Sequence, residues 1–215
     1  MKSIKVPMII PASNLPEDID KLFATLPSNP IDCCNWPKDF PYTPKASFKL
    51  FHDGNNLYIK FDVKENDIHA VIEKDFGNVW TDPCVEFFVS PNSNMDYYNI
   101  ECTCTGKLLI AWHPHGATKE NLPIEVLNNV KRHPSLGCEC FPMRNGENSW
   151  SLIETIPVTT LSHSNIDSWS GKTMRANFYK CGDNLPTPHF ISWNAIDWPE
   201  PSFHRPEFFG ELLFE

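Results

Sequence analysis

The chain has 215 residues and a formal charge of −9: enough length for one domain with a sizeable core, and the wrong sign for a counterion-driven grip on nucleic acid. The same charge disfavours an anionic membrane surface, and no apolar stretch is long enough to cross a bilayer as a helix. Twenty prolines, seven tryptophans and fifteen phenylalanines describe many short elements joined by many turns, a β-rich pattern.

The chain opens with Lys2, Lys5 and an apolar run from Val6 to Ile10. That run is too short, and too broken by Pro7, for an export signal. The default expectation is a soluble cytoplasmic protein, with a processed secreted form as the alternative. Asn14, Pro16 and Glu17 read as a helix start with Asn14 as cap, and Ile19, Leu22, Phe23 and Leu26 follow at helical spacing. A short helix is predicted over about 15–26, ended by Pro27 and Pro30. Residues 35–44 are too rich in proline for a regular element and read as an ordered aromatic loop. Residues 1–45 are thus expected to form an extension packed on a main unit at 46–215.

Strands follow. Residues 47–52 lead into the turn signal Asp53-Gly54-Asn55-Asn56. Leu57, Ile59, Phe61 and Val63 then alternate with Tyr58, Lys60, Asp62 and Lys64, as a half-buried strand requires. Further strands are predicted over 85–89, 97–105, 107–112, 150–156, 174–181, 189–193 and 210–214, with a possible second helix over 120–132. About nine strands with turns between them predict an all-β fold, a β-sandwich of two antiparallel sheets with one or two short helices. A barrel is the alternative architecture. Leu57, Ile59, Phe61, Val63, Val85, Phe87, Val89, Ala176 and Phe178 are the expected core.

The eight cysteines include Cys102-x-Cys104 and Cys138-x-Cys140 but no Cys-x-x-Cys pair. They are expected to be free thiols, with neither a disulfide framework nor a structural zinc, and no cofactor is expected.

Two segments carry the candidate chemistry. In Val79-Trp80-Thr81-Asp82-Pro83-Cys84-Val85-Glu86-Phe87-Phe88-Val89, Trp80 ends a loop and Glu86 faces away from Val85, Phe87 and Val89. A mid-strand carboxylate beside aromatics needs hydroxyl, amide or guanidinium partners, because an unpaired buried charge is costly. In the second segment, Arg175, Asn177 and Tyr179 share the face opposite Met174, Ala176 and Phe178, and Trp193 follows in the next strand. A guanidinium, an amide and an amphipathic aromatic are groups that read hydroxyls. A polar outer sheet face is the plainer reading of each segment.

From residue 46 onward the ordered set LYIKFDV, VWTDPCVEFFV, SWSLIETIP, RANFYKCGD with HFISW, and FFGELLFE resembles family 9 carbohydrate-binding modules. The resemblance implies a β-sandwich that holds a sugar end between two tryptophans, often with calcium nearby. Matched by motif, Trp80 resembles the first tryptophan, Glu86 the hydroxyl-accepting carboxylate, and Trp193 the second tryptophan, with Trp198 as its competitor. Arg175 and Asn177 would complete the rim. The family's calcium ligands match no assignable positions.

The resulting expectation is a non-catalytic protein whose partner is a mono- or oligosaccharide. A glycoside hydrolase is the rival reading. It would use Asp82 and Glu86, with Glu101 and Glu154 behind them, but Asp82 sits in a turn and nothing in the spacing pairs it with Glu86. Two further classes stand beside these. One is a metal or redox protein built on His113-Pro114-His115 and the Cys-x-Cys pairs. The other is a structural or interaction sandwich without a ligand.

Overall fold

Strands begin and end where the proline and glycine punctuation places them. The computed structural model describes residues 1–92 and 95–215, and fourteen strands lie within them. In chain order these are β1 (Ser3–Val6), β2 (Asn29–Ile31), β3 (Cys33–Cys34), β4 (Lys45–His52), β5 (Asn56–Ala70), β6 (Cys84–Ser90) and β7 (Tyr97–Thr103). The remainder are β8 (Leu108–His113), β9 (Glu120–Asn121), β10 (Lys131–Pro134), β11 (Phe141–Pro157), β12 (Thr173–Cys181), β13 (Phe190–Ser192) and β14 (Gly210–Phe214).

They form two sheets. The larger runs β1-β14-β12-β6-β7-β8-β9, with β13 joined to β12 and β3 to β13; the smaller runs β10-β11-β5-β4-β2. Pairing is antiparallel except between β1 and β14. Residues 1–45 supply β1, β2 and β3 to the two sheets, so this segment is woven into both layers.

Alternation decides the layers. Leu57, Ile59, Phe61 and Val63 of β5 face Val85, Phe87, Val89, Ala176 and Phe178 of β6 and β12, and all are buried in the main core. Phe48 stacks on Phe178 at 3.6 Å between centroids, and Phe178 stacks on Phe87 at 4.9 Å, tying the sheets together through aromatic faces. A two-layer sandwich with one shared core is the result.

Both helices are shorter than the sequence pattern predicts. The first, α1 (Pro16–Phe23), has Leu15 at its cap position and no side-chain cap; Ser13 Oγ, not Asn14, accepts the Leu15 amide at 3.2 Å. The second, α2 (Ile124–Asn129), starts only after Pro123 and stops where Val130 turns extended. The flanks of the predicted 120–132 helix instead pair as β9 and β10, because the sheets supply backbone partners there. A small third cluster seats α1 on the outer face of the smaller sheet, where Ile19 and Phe23 meet Phe51, Tyr58 and Ile153.

A cluster of ionisable side chains lies inside the sandwich. Lys180 points inward from β12, and its Nζ lies 2.9 Å from Glu65 Oε2, 2.8 Å from His189 Nε2 and 2.7 Å from the Cys181 carbonyl. Trp150 Nε1 donates to the other Glu65 oxygen at 2.7 Å. Glu65, Lys180 and His189 are all buried, so the cluster fixes the register of β12 against β5 beside residues 181–183.

Candidate functional site

The outer face of the larger sheet carries a second hydrophobic cluster. Its floor includes Cys84 and Phe88 of β6, Tyr97 of β7, and Tyr179 and Cys181 of β12. The connection between β13 and β14 covers part of this face, with Ile196, Phe203 and Phe209 packed onto the floor. Tyr179 donates its hydroxyl to the Phe203 carbonyl at 3.1 Å, and their rings stack at 4.2 Å.

Where that cover stops, a cleft of about 290 Å³ opens. Trp80, Phe190 and Phe203 are its aromatic walls, and Glu86, Glu101 and Asp183 are its carboxylates. Trp80 lies in the 3-10 turn Val79–Thr81, whose carbonyls accept the Asp183 amide at 3.1 Å and the Asn184 amide at 3.2 Å. The turn is therefore held to the end of β12, and Trp80 is left half-buried.

Glu86 and Glu101 sit directly opposite each other on β6 and β7, so both side chains rise from the same patch of floor. Cys181 donates its Sγ–H to Glu86 Oε1 at 3.0 Å. Asn99 donates its amide to Glu101 Oε1, and the Asn99 oxygen takes the Ala111 amide at 3.0 Å and lies 3.2 Å from His113 Nε2. Among the described residues nothing bonds Glu101 Oε2, although Glu101 is only 5% exposed.

Burial sets the protonation of this floor. It pushes Glu86 well above the carboxylate range, and the neighbouring Cys181 and Glu101 side chains add to the rise. Burial lifts Glu101 to about 7 against the pull of Asn99 and Lys119, and lifts Asp183 to about 6. His204, which lines the cleft and shares a 2.9 Å hydrogen bond with Tyr97, is pushed down to about 4 by burial and stays neutral at pH 7. Lys119 is the cation on the lining.

The five residues expected from sequence separate. Trp80 and Glu86 line the cleft. Trp193 is 2% exposed and lies between the sheets, edge-on to Phe48 and Phe178 at 5.8 Å each. Gly210 makes room for it, since a Cβ there would meet the Trp193 ring at 2.6 Å. Asn177 is buried beneath the covering connection, where its Oδ1 takes the Asn194 amide at 2.8 Å and its Nδ2 donates to the Asn194 carbonyl at 3.2 Å. Arg175 donates to the Phe209 and Glu207 carbonyls at 2.6 and 3.1 Å and clamps the same connection. Trp198, 38% exposed, lies outside the cleft with the Arg205 guanidinium 3.3 Å over its ring. Strand alternation put Arg175 and Asn177 on the outer face, and the connection between β13 and β14 passes over that face and takes up their hydrogen bonds. Asp183, Phe190 and Phe203 were not singled out by the sequence pattern, and Glu101 stood there only as a reserve carboxylate of the hydrolase reading; its place opposite Glu86 comes from the strand pairing.

The other chemistries find less support in the geometry. Asp82 is buried away from the cleft, accepting the Val71 and Ile72 amides at 2.9 Å each. Glu154 is enclosed between the sheets. Glu86 and Glu101 rise from one floor, whereas glycoside cleavage needs carboxyls on two sides of a bond. His113 stacks on Tyr97 while Cys138 and Cys140 are exposed elsewhere, so the histidine pair and the cysteine pairs do not converge. Cys84, Glu86 and Cys181 bring two sulfurs and an oxygen within 4.8 Å of one another, a set suited to a soft metal. It does not suit calcium, which takes oxygen ligands only. All eight cysteines are free thiols.

The profile of carbohydrate-binding family 9 matches residues 14–214. A candidate carbohydrate-binding protein from Bacteroides uniformis, known from its crystal structure, is 43% identical over 100% of this chain and 99% of its own, with a TM-score of 0.94. A family 9 module from Caldicellulosiruptor kristjanssonii solved with glucose is 15% identical over 100% and 96% of the two chains, with a TM-score of 0.62. The same organism's family 9 module with cellotriose gives 16%, 100% and 94%, and 0.59; at these identities the likeness is one of fold. No curated protein is significantly similar to the chain.

Proposed function

This chain belongs to carbohydrate-binding family 9, and from that premise we propose that its cleft holds one end of a mono- or oligosaccharide without cleaving it. The observation that carries the reading is the meeting of a half-buried Trp80 with two buried carboxylates, one of them with an open oxygen. A pyranose has an apolar C–H face and a hydroxyl rim. The face suits Trp80, with Phe190 and Phe203 closing the sides, and the rim suits Glu86 and Glu101 as acceptors. At about 290 Å³ the cleft takes one ring, below the size of drug-type pockets. The Caldicellulosiruptor modules with glucose and cellotriose support a glucose-type ligand class.

Covering roughly 100–150 Å² of C–H surface contributes on the order of 3 kcal/mol. After ordering costs, the dissociation constant should fall in the micromolar to millimolar range. The test is calorimetric titration with glucose, xylose, cellobiose and cellobiitol, on wild type and Trp80→Ala. The variant should bind about 10- to 100-fold more weakly while keeping its fold. Absence of saturable heat from every sugar at millimolar concentration would overturn the proposal.

A further inference from the structure

The floor of the cleft gathers more acidic groups than a neutral sugar needs. Glu86 and Glu101 face each other from adjacent strands, Asp183 joins them from the end of β12, and Lys119 is the cation on the lining. His204 is neutral and already engaged with Tyr97. His113, held neutral by burial, meets the floor through the Asn99 oxygen and the Tyr97 ring. Most telling is Glu101 Oε2: the residue is nineteen-twentieths buried, lines the cleft, and has no hydrogen-bond partner for this oxygen among the described residues. A buried, unpaired carboxylate oxygen costs about 1–3 kcal/mol or more, so the native fold tolerates it where a ligand completes it. Asp183 Oδ1 is likewise buried and without a bonded partner.

We propose that the sugar this cleft prefers carries a free ammonium group, as an unacetylated amino sugar of the glucosamine class does. The inference rests on the saccharide reading of the cleft. The ammonium supplies what the floor lacks: up to three donors and one positive charge, placed between Glu86 and Glu101. The pyranose body still lies on Trp80, and a cation near that ring gains further from its π face. Without the ammonium, burial holds Glu86 protonated and keeps Glu101 mostly protonated at pH 6.5, and they meet a hydroxyl rim as ordinary neutral partners. With it, a carboxyl can ionise, so binding should release a proton that a neutral sugar does not.

The experiment is isothermal titration at pH 6.5 with four probes: glucosamine, glucose, N-acetylglucosamine and ethanolamine. It is repeated in two buffers of different ionisation heat. Glucosamine should bind at least tenfold more tightly than glucose and release protons on binding. Masking the amine by acetylation should remove the advantage, and ethanolamine, which lacks the ring, should bind far more weakly. Glu101→Gln, of the same shape, should bring the glucosamine-to-glucose ratio close to one and abolish the proton release, with near-UV circular dichroism reporting that the fold is kept. Equal binding of glucosamine and glucose by the wild type would overturn the amine preference and leave the saccharide reading standing. Saturable heat from ethanolamine, with none from any of the three sugars, would overturn both.

Discussion

Replacing Glu101 by glutamine tests whether burial, rather than a partner, governs the cleft floor. In the folded protein the Glu101 carboxyl titrates at about 7 against an ordinary 4.5, with burial as the leading cause. That gap, about 2.5 pH units at roughly 1.4 kcal/mol each, corresponds to about 3 kcal/mol. The sign follows from proton binding. Between pH 4.5 and 7 the folded state keeps a proton that the unfolded chain releases. The neutral carboxyl's contribution is therefore complete below pH 4.5 and is lost as the pH rises through 7. Glutamine does not titrate, so the stability of Glu101→Gln relative to wild type should rise by about 3 kcal/mol from pH 4 to pH 8. Glu86 acts in the same direction, because part of its rise comes from charge on Glu101 and disappears with it. His113, His189 and His204, held at about 3, 2 and 4, penalise the fold as the pH falls below 6.5, but they do so in both proteins and cancel in the difference. Urea unfolding followed by tryptophan fluorescence at half-unit steps supplies the two curves. Parallel curves, separated by a constant to within about 1 kcal/mol, would refute the burial argument.

Three further outcomes separate scaffold from site. Trp193→Ala should lower stability by about 3–5 kcal/mol in thermal or urea unfolding, because it empties a core position, while Trp80→Ala should cost far less; equal losses would contradict the placement of Trp193 between the sheets. Lys180→Met should cost about 3–5 kcal/mol by leaving Glu65 charged and buried, and adding Glu65→Leu should recover most of that; a double variant no better than the single would show that the ion pair is not what the fold depends on. Thiol titration of denatured, unreduced protein should return all eight cysteines. Two fewer would reveal a disulfide, first of all between Cys84 and Cys181, which sit opposite each other on β6 and β12.

Much of the fold was legible because strand periodicity is local. The alternation in 57–63, 85–89 and 174–178 separates inward from outward side chains without reference to any distant residue, and the core residues it names are buried. The same locality places Glu86 on the outer face and Trp80 at the mouth of its strand, whereas Glu101 joins Glu86 only through the pairing of β6 with β7. What alternation cannot supply is what lies on top of an outward face. Arg175 and Asn177 point outward as the pattern requires, yet the connection between β13 and β14 passes over them and takes up their hydrogen bonds. Trp193 follows a strand whose pattern leaves its side undecided, and it turns inward because Gly210, some seventeen residues later, leaves space for its ring. Phe190, Phe203 and Asp183 become walls and floor only when that connection and the Trp80 turn close against β12. The sequence by itself determined the layers, their inward faces and the two residues that begin the cleft. Only the tertiary structure decided which outward side chains stay open to a ligand, because covering a sheet face is a contact between segments far apart in the chain, and no local period encodes it.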